Sequence, residues 1–245
     1  HNDSSFIPSR ILNHENLSSI EIFRFDKNIT TFPNLKDVHV SEATYYRLYM
    51  DDYLPDNLSS IVYLDADVVC VNNPTNKIFE TFEKMLQTNK TIGAITEIKK
   101  DKNSKDLFDN LNMKSDKYFN AGVMFIDFKK WKNQKANIFL RRLLLEYFET
   151  IKFWDQDILN SFFDGKYYEC SKSLNKVLNL FYNCDLNKEY YFEDIKKKNI
   201  FIHYAGSHKP WTPTGILSVT SEFYQQLFRE LFSKKYHISH KWKVN

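Results

Sequence analysis

Ile61-Val62-Tyr63-Leu64-Asp65-Ala66-Asp67 is an apolar run that ends in two carboxylates two positions apart. A continuous apolar run reads as a strand buried on both faces, and here it predicts a strand over 61–71. In an extended chain, residues two apart point to the same side. In open α/β sheets, ligands bind just beyond the carboxyl ends of such strands. Asp65 and Asp67 would then offer hard oxygen ligands to a divalent cation at that edge. Such a cation usually completes its shell with water and substrate phosphates, which implies a phosphorylated or diphosphate-linked substrate. The pair alone is weak evidence. With 18 aspartates in 245 residues, chance supplies about one Asp-x-Asp, and a second occurs at Asp155-Gln156-Asp157. A solvated strand end would look the same, so the weight falls on what lies downstream.

Length and composition narrow the setting. A chain of 245 residues fits one α/β domain. Its 42% hydrophobic and 27% charged content is ordinary for a globular protein. A net charge of +3 is too small to argue for a nucleic-acid partner. No apolar run is long enough to span a membrane. Cys70, Cys170 and Cys184 have neither zinc spacing nor a disulfide framework, which predicts reduced thiols in a cytoplasmic protein. The chain starts at His1, without a visible signal peptide.

Strands are predicted at 20–25, 61–71, 91–97, 118–128, 167–170 and 200–204. Helices are predicted at 41–53 with Ser41 as N-cap, at 76–86 with Ile78, Phe79, Phe82 and Met85 on its core face, and at 129–148, 155–163 and 221–234. Residues 99–116 read as a polar loop with some helix. Strands alternating with helices predict a mostly parallel sheet with helices on both faces.

Three further motifs carry chemistry. In Phe119-Asn120-Ala121-Gly122-Val123-Met124, small residues inside a strand mark close approach of a ligand or backbone, or a β-bulge. The Asn120 amide both donates and accepts, which suits sugar hydroxyls. In Asp155-Gln156-Asp157-Ile158-Leu159-Asn160, Asp155 is either an N-cap or, with Gln156, aimed at a reacting sugar. In His203-Tyr204-Ala205-Gly206-Ser207-His208-Lys209-Pro210-Trp211, the histidine follows an apolar strand, as Asp65 does. An imidazole beside two carboxylates makes a ligand set for Mn²⁺ or a similar ion. Gly206 lets the backbone approach a phosphate and Lys209 supplies a point charge.

Taken together, these residues resemble the retaining glycosyltransferases of family 8, the group containing glycogenin and the bacterial lipooligosaccharide galactosyltransferases. The resemblance runs from about residue 20 to Trp211 and includes Thr44-Tyr45-Tyr46-Arg47-Leu48, Gly93-Ala94, and Tyr118 to Lys130 with Trp131. It implies a GT-A type, Rossmann-like fold that transfers glucose or galactose from a UDP-sugar to an acceptor hydroxyl of a bacterial surface glycan or glycolipid, as in lipopolysaccharide biosynthesis. By resemblance, Asp65, Asp67 and His203 bind Mn²⁺, with Mg²⁺ as the substitute. Gly206 and Lys209 hold the diphosphate. Arg47, Asn120, Ala121, Asp155 and Gln156 contact the donor sugar, with Asp155 and Gln156 nearest the reaction. Glu97 faces the acceptor.

One departure stands out. Phe23-Arg24-Phe25-Asp26-Lys27-Asn28 looks like the family's opening uridine motif, yet Asp26 is too close in sequence to Asp65 for the intervening β-α-β segments. Residues 20–25 fit the family's third strand instead, so the first βαβ unit is expected to be absent. The expected organisation is a catalytic domain over 1–219, followed by a C-terminal helix and basic aromatic tail over 220–245. That tail, from Lys234 to Lys243, interleaves cations with aromatics and suits peripheral contact with the inner membrane face. The incomplete nucleotide half leaves a rival reading, a catalytically incomplete UDP-sugar or glycan-binding module. A glycosidase with paired carboxylates is a third reading, opposed by the glycine and lysine near His203.

Overall fold

The computed structural model describes residues 9–15, 17–26, 31–36, 38, 40–178, 180 and 188–239. Strands β1 (Ser60–Leu64), β2 (Val68–Cys70), β3 (Ile92–Lys99), β4 (Lys117–Asp127), β5 (Tyr168–Glu169), β6 (Lys176–Val177) and β7 (Phe201–His203) form two sheets. Their orders are β1-β4-β3-β5 and β2-β7-β6. The helices are α1 (Ser9–Leu12), α2 (Thr75–Gln87), α3 (Lys105–Asn110), α4 (Phe128–Asn133), α5 (Ala136–Glu146), α6 (Trp154–Phe163), α7 (Lys188–Lys198) and α8 (Glu222–Phe232), with a 3₁₀ helix at Glu42–Asp52.

β4 organises the molecule. Nine of its eleven residues, Tyr118 to Ile126, are buried, and all of these but Asn120 are apolar or glycine. Val123 and Phe125 pack with Met85 of α2 on one face. Met124 and Ile126 pack with Phe128, Trp131, Leu140 and Leu159 of α4, α5 and α6 on the other. This is the two-residue alternation of a strand covered on both sides.

The sheet is mixed, which corrects the expectation of mostly parallel pairing. β1 and β3 both run antiparallel to β4, and β2 runs antiparallel to β7; only β3–β5 and β6–β7 are parallel. Residues 100–116, which hold the six-residue α3 and turns, return the chain alongside β3 in the antiparallel sense.

Other expectations are corrected by local physics. Residues 20–25 form no strand. Instead Phe25 stacks on Tyr46 with ring centroids 3.9 Å apart, and Phe32 stacks on Tyr45 at 4.9 Å, so this segment lies on the 3₁₀ helix through its aromatics. Ser41 flanks that helix but its side chain makes no capping bond. The strand expected over 61–71 breaks after Leu64, where Val68 N–H turns back to Asp65 C=O at 3.1 Å. The helix expected over 129–148 is two helices, divided at Lys135 in the left-handed region at φ 52°. Phe79 of α2 faces solvent, at 66% exposure, because Thr81 and Met85 occupy the buried stripe.

Candidate active site and metal centre

The two sheets meet where the carboxylates lie. The turn after β1 releases Asp65 and Asp67, and β2 then pairs with β7 in a register that sets Val68 opposite His203. Tyr204 N–H donates to Asp67 C=O at 3.0 Å, fastening the loop after β7 to the same turn. His203 Nε2 lies 3.3 Å from Asp67 Oδ1 and 3.9 Å from Asp65 Oδ2. One ligand atom from each of the three residues falls within 4.8 Å of the others. The convergence arises from the turn and the sheet-to-sheet pairing rather than from an extended Asp-x-Asp.

The opposite oxygens of both carboxylates are already engaged. Arg47 Nη2 donates to Asp65 Oδ1 at 2.8 Å, and Tyr63 Oη donates to the same atom at 2.7 Å. Lys209 Nζ donates to Asp67 Oδ2 at 2.5 Å and to Tyr204 C=O at 2.7 Å. The oxygens left over, Asp65 Oδ2 and Asp67 Oδ1, are those turned toward His203. Asp67 Oδ1 is buried and has no hydrogen-bond partner. Two carboxylate oxygens and an imidazole nitrogen, held this way, fit a divalent cation. Burial opposes ionisation of Asp67, yet His203 and Lys209 outweigh it and hold its pKa down at about 2.

Arg47 is the pivot of the second half of the site. It is buried, ion-pairs Asp155 through Nε at 2.6 Å, donates from Nη1 to Ala121 C=O at 2.6 Å, and stacks over the Tyr63 ring at 4.1 Å. Burial works against its charge, but Asp155 and Asp65 raise its pKa above the usual value. Asp155 also accepts from Thr44 Oγ1 at 2.5 Å. Burial pushes its pKa up to about 6 despite Arg47 and Thr44, and Asp65 adds to the rise.

Asp155 is therefore no N-cap. The N-cap position is Phe153, and Asp157, inside the first turn, folds back so that its Oδ2 accepts from Lys152 N–H at 2.7 Å and Phe153 N–H at 2.9 Å.

The small-residue motif is indeed a bulge. Between the Gly93–Phe125 and Ile95–Asn120 pairs, β3 advances through Ala94 alone while β4 advances through 121–124. Such bulges re-aim side chains beside functional sites. Here Asn120 Nδ2 reaches Glu97 Oε2 at 3.2 Å, and Gln156 Nε2 reaches the same oxygen at 3.1 Å. Gln156 Oε1 accepts from Ala121 N–H at 2.9 Å.

A cavity of about 440 Å³ is lined by Arg47, Asp65, Asp67, Glu97, Asn120, Ala121, Asp155, Gln156, His203, Gly206 and Lys209, all singled out in the sequence. The model of glycosyl transferase family 8 matches residues 5–215. The chain belongs to that family. It is 33% identical over 179 residues to a lipopolysaccharide 1,2-glucosyltransferase of Escherichia coli, covering 69% of this chain and 49% of that protein. It is 28% identical over 188 residues to a lipopolysaccharide 1,3-galactosyltransferase of Salmonella typhimurium, covering 75% and 53%. Among solved structures, an active-site mutant of LgtC superposes with a TM-score of 0.63 at 25% identity, covering 82% of this chain and 71% of that one. The fold is thus GT-A-like, as the resemblance implied. This family 8 chain spans about half the length of the curated relatives it matches.

Several lining or supporting residues were given no role by the sequence, though Thr44 and Tyr63 stand in its motifs. Lys152, Phe153 and Trp154 line the cavity, and Trp154 sits at φ 51°, a left-handed geometry that a bulky residue rarely adopts. Thr44 and Tyr63 hold the two acids that Arg47 also holds. Tyr63 was legible, since it stands two positions before Asp65; nothing in the sequence marks Trp154's backbone. Cys70 is exposed and Cys170 buried, both free thiols; Cys184 lies outside the described residues.

Proposed function

We propose that this chain transfers a glucosyl or galactosyl unit from a UDP-sugar to a hydroxyl of a bacterial surface glycan or glycolipid, with retention at the anomeric carbon. The observation that carries the reading is one cavity joining an Asp-Asp-His cation cluster and Lys209 to the linked amides of Asn120 and Gln156.

Asp65, Asp67 and His203 would hold Mn²⁺, with Mg²⁺ as the substitute. When bound, such an ion supplies positive charge that stabilises a diphosphate leaving group. Lys209 adds a fixed ammonium on the same side, and the glycine at 206, at φ 83°, lets backbone N–H groups come close to phosphate oxygens. Arg47 neutralises Asp155, so the sugar half of the cavity meets an oriented carboxylate in a balanced field. Gln156 is fixed at both ends of its amide and orients the sugar rather than attacking it.

The lipopolysaccharide glucosyl- and galactosyltransferases among the relatives support the donor and acceptor classes. No helix among the described residues is long and apolar enough to cross a membrane. Lys234, Lys235 and Tyr236 are exposed at the end of α8 and suit peripheral docking on the anionic cytoplasmic face.

The test is UDP release from UDP-glucose and UDP-galactose with Mn²⁺, with and without chelator. Chelator-sensitive release that Asp67→Asn abolishes is expected. UDP-sugar binding with no turnover on any acceptor glycan would favour the binding-module reading instead.

A further inference from the structure

A second cavity, of about 500 Å³, opens beside the first and shares Glu97 and Asn120 with it. Its size is that of a small-ligand site. Its far wall comes from the 3₁₀ turn at Lys172–Leu174, from β6 and from α7. Two features of that wall point to a ligand.

The first is Asn175. Its side chain is buried, with 5% exposure, and Nδ2 donates to Asn120 Oδ1 at 2.9 Å. Its Oδ1 is buried with no hydrogen-bond donor facing it. A buried acceptor left unmet costs free energy, and native proteins rarely leave one so. Asn175 lines the cavity, and a small turn of its amide would bring this acceptor to a ligand hydroxyl there. The bond to Asn120 ties that hydroxyl's position to the amide network reaching Glu97 and Gln156.

The second is charge. Lys172, Lys176 and Lys198 line the cavity with Glu97 and Asp194. Lys198 ion-pairs Asp194 at 2.6 Å, and Glu97 is engaged by Asn120 and Gln156. Lys172 and Lys176 have no ion-pair partner among the described residues. Two ammonium groups without an ion-pair partner among the described residues, beside an unmet carbonyl acceptor, are complementary to a hydroxylated molecule bearing an anionic substituent.

We propose that this second cavity is the acceptor pocket of an anionic sugar: Asn175 receives an acceptor hydroxyl, while Lys172 and Lys176 read a phosphate or carboxylate on the acceptor glycan. This rests on the transferase reading above and adds the acceptor's charge to it. The specificity-determining pair is Lys172 and Lys176.

The test is binding to the full chain saturated with Mn²⁺ and UDP, so that Lys209 and the cation cluster are already occupied. Glucose 6-phosphate, glucuronate and neutral glucose are compared by ligand-observed NMR titration. At low salt, at least one anionic sugar is expected to bind roughly tenfold or more tightly than glucose, because charge-assisted bonds outweigh neutral ones. The preference should shrink with added salt and disappear in Lys172→Gln/Lys176→Gln. The tighter of the two anionic sugars identifies phosphate or carboxylate as the group read. Asn175→Ala should weaken all three sugars alike.

Equal affinities, no saturable binding of either anionic sugar, or a preference that survives Lys172→Gln/Lys176→Gln but vanishes in Lys209→Ala would overturn the proposal. The last outcome would place the anion in the diphosphate region. Failure of the transferase reading is separate: it would appear as absent UDP release with every acceptor, whatever the titration gives.

Discussion

Gly122 and His203 touch across a gap that only hydrogen fills. A Cβ on Gly122 would lie 2.2 Å from His203 Cε1 and 2.8 Å from its Nε2. Gly122 C=O also receives the Asp65 N–H at 2.8 Å. The bulged strand therefore sets the imidazole against one carboxylate and the backbone of another. Gly122→Ala is expected to displace the ring and weaken Mn²⁺ binding by roughly 10–100-fold, the size seen when groups supporting a metal's ligands are disturbed. Overpacking should also cost about 1–3 kcal/mol of stability. Isothermal titration with Mn²⁺ checks the first and urea unfolding the second. Wild-type affinity in a folded variant would refute the positioning role.

Lys209→Ala should act on turnover. Removing one electrostatic contact to a developing charge typically costs on the order of 10²–10³ in rate. Steady-state UDP release at saturating donor is the measurement. An unchanged rate would mean that Lys209 only braces Asp67 and the Tyr204 carbonyl.

Arg47→Ala should destabilise the fold by about 3–5 kcal/mol, because it strands a buried Asp155 beside Asp65. Adding Asp155→Asn should recover part of that loss. A urea double-mutant cycle reads the coupling directly, and additive effects would show that the pair is not an energetic unit.

Asp155 also predicts a pH dependence. Its ordinary pKa is near 3.8, and burial raises it to about 6 in the native protein. The native state therefore binds the proton more tightly than the unfolded chain. This favours folding fully below the unfolded value, and the contribution is lost as pH rises through about 6. A shift of about two units corresponds to roughly 3 kcal/mol at most. Between pH 4 and 7, Asp155→Asn should remove that falling component from the stability curve. Parallel curves for variant and wild type would reject it.

The membrane proposal needs a gentler variant than truncation. His237 N–H donates to Gln225 Oε1 at 2.9 Å, and Ser239 N–H donates to Trp211 C=O at 2.7 Å, so deleting residues 234–245 would also loosen the loop that carries Lys209. Residues 240–245 of the expected tail lie outside the described residues. Lys234→Glu/Lys235→Glu keeps the clasp and reverses the charge. It should reduce co-sedimentation with anionic vesicles at low salt, each lysine being worth roughly 1 kcal/mol near such a surface. Equal recovery with neutral vesicles would reject membrane docking.

What was legible in the sequence was chemistry at strand ends. Asp65 and His203 each follow an apolar run, and the two runs do lead to one edge. What was not legible was direction. An apolar run reads the same in parallel and antiparallel pairing, so the reversal of β4 was hidden. The identity of the helix cap was hidden for a similar reason. Asp155 and Asp157 are the same residue type in the same turn, yet the cap position is Phe153, and only the buried Arg47, far away in sequence, draws Asp155 into the site while Asp157 folds back on the backbone. Lys172 and Lys176 were ordinary members of a lysine-rich chain until Asn175, with its unmet oxygen, appeared in the same cavity wall.

The pairing of β2 with β7 has a consequence for how the chain is made. Lys209 and Asp67 are 142 positions apart. Their meeting requires closure of a long loop, a step that slows folding because entropy is lost before contacts form. A nascent chain emerging from the ribosome presents Asp65 and Asp67 early, yet it cannot assemble a complete cation cluster until β7 has been synthesised and docked. On the proposed reading of the cluster, competence to hold the ion doubles as a proofreading mark: a chain that binds it has already brought β2 and β7 together.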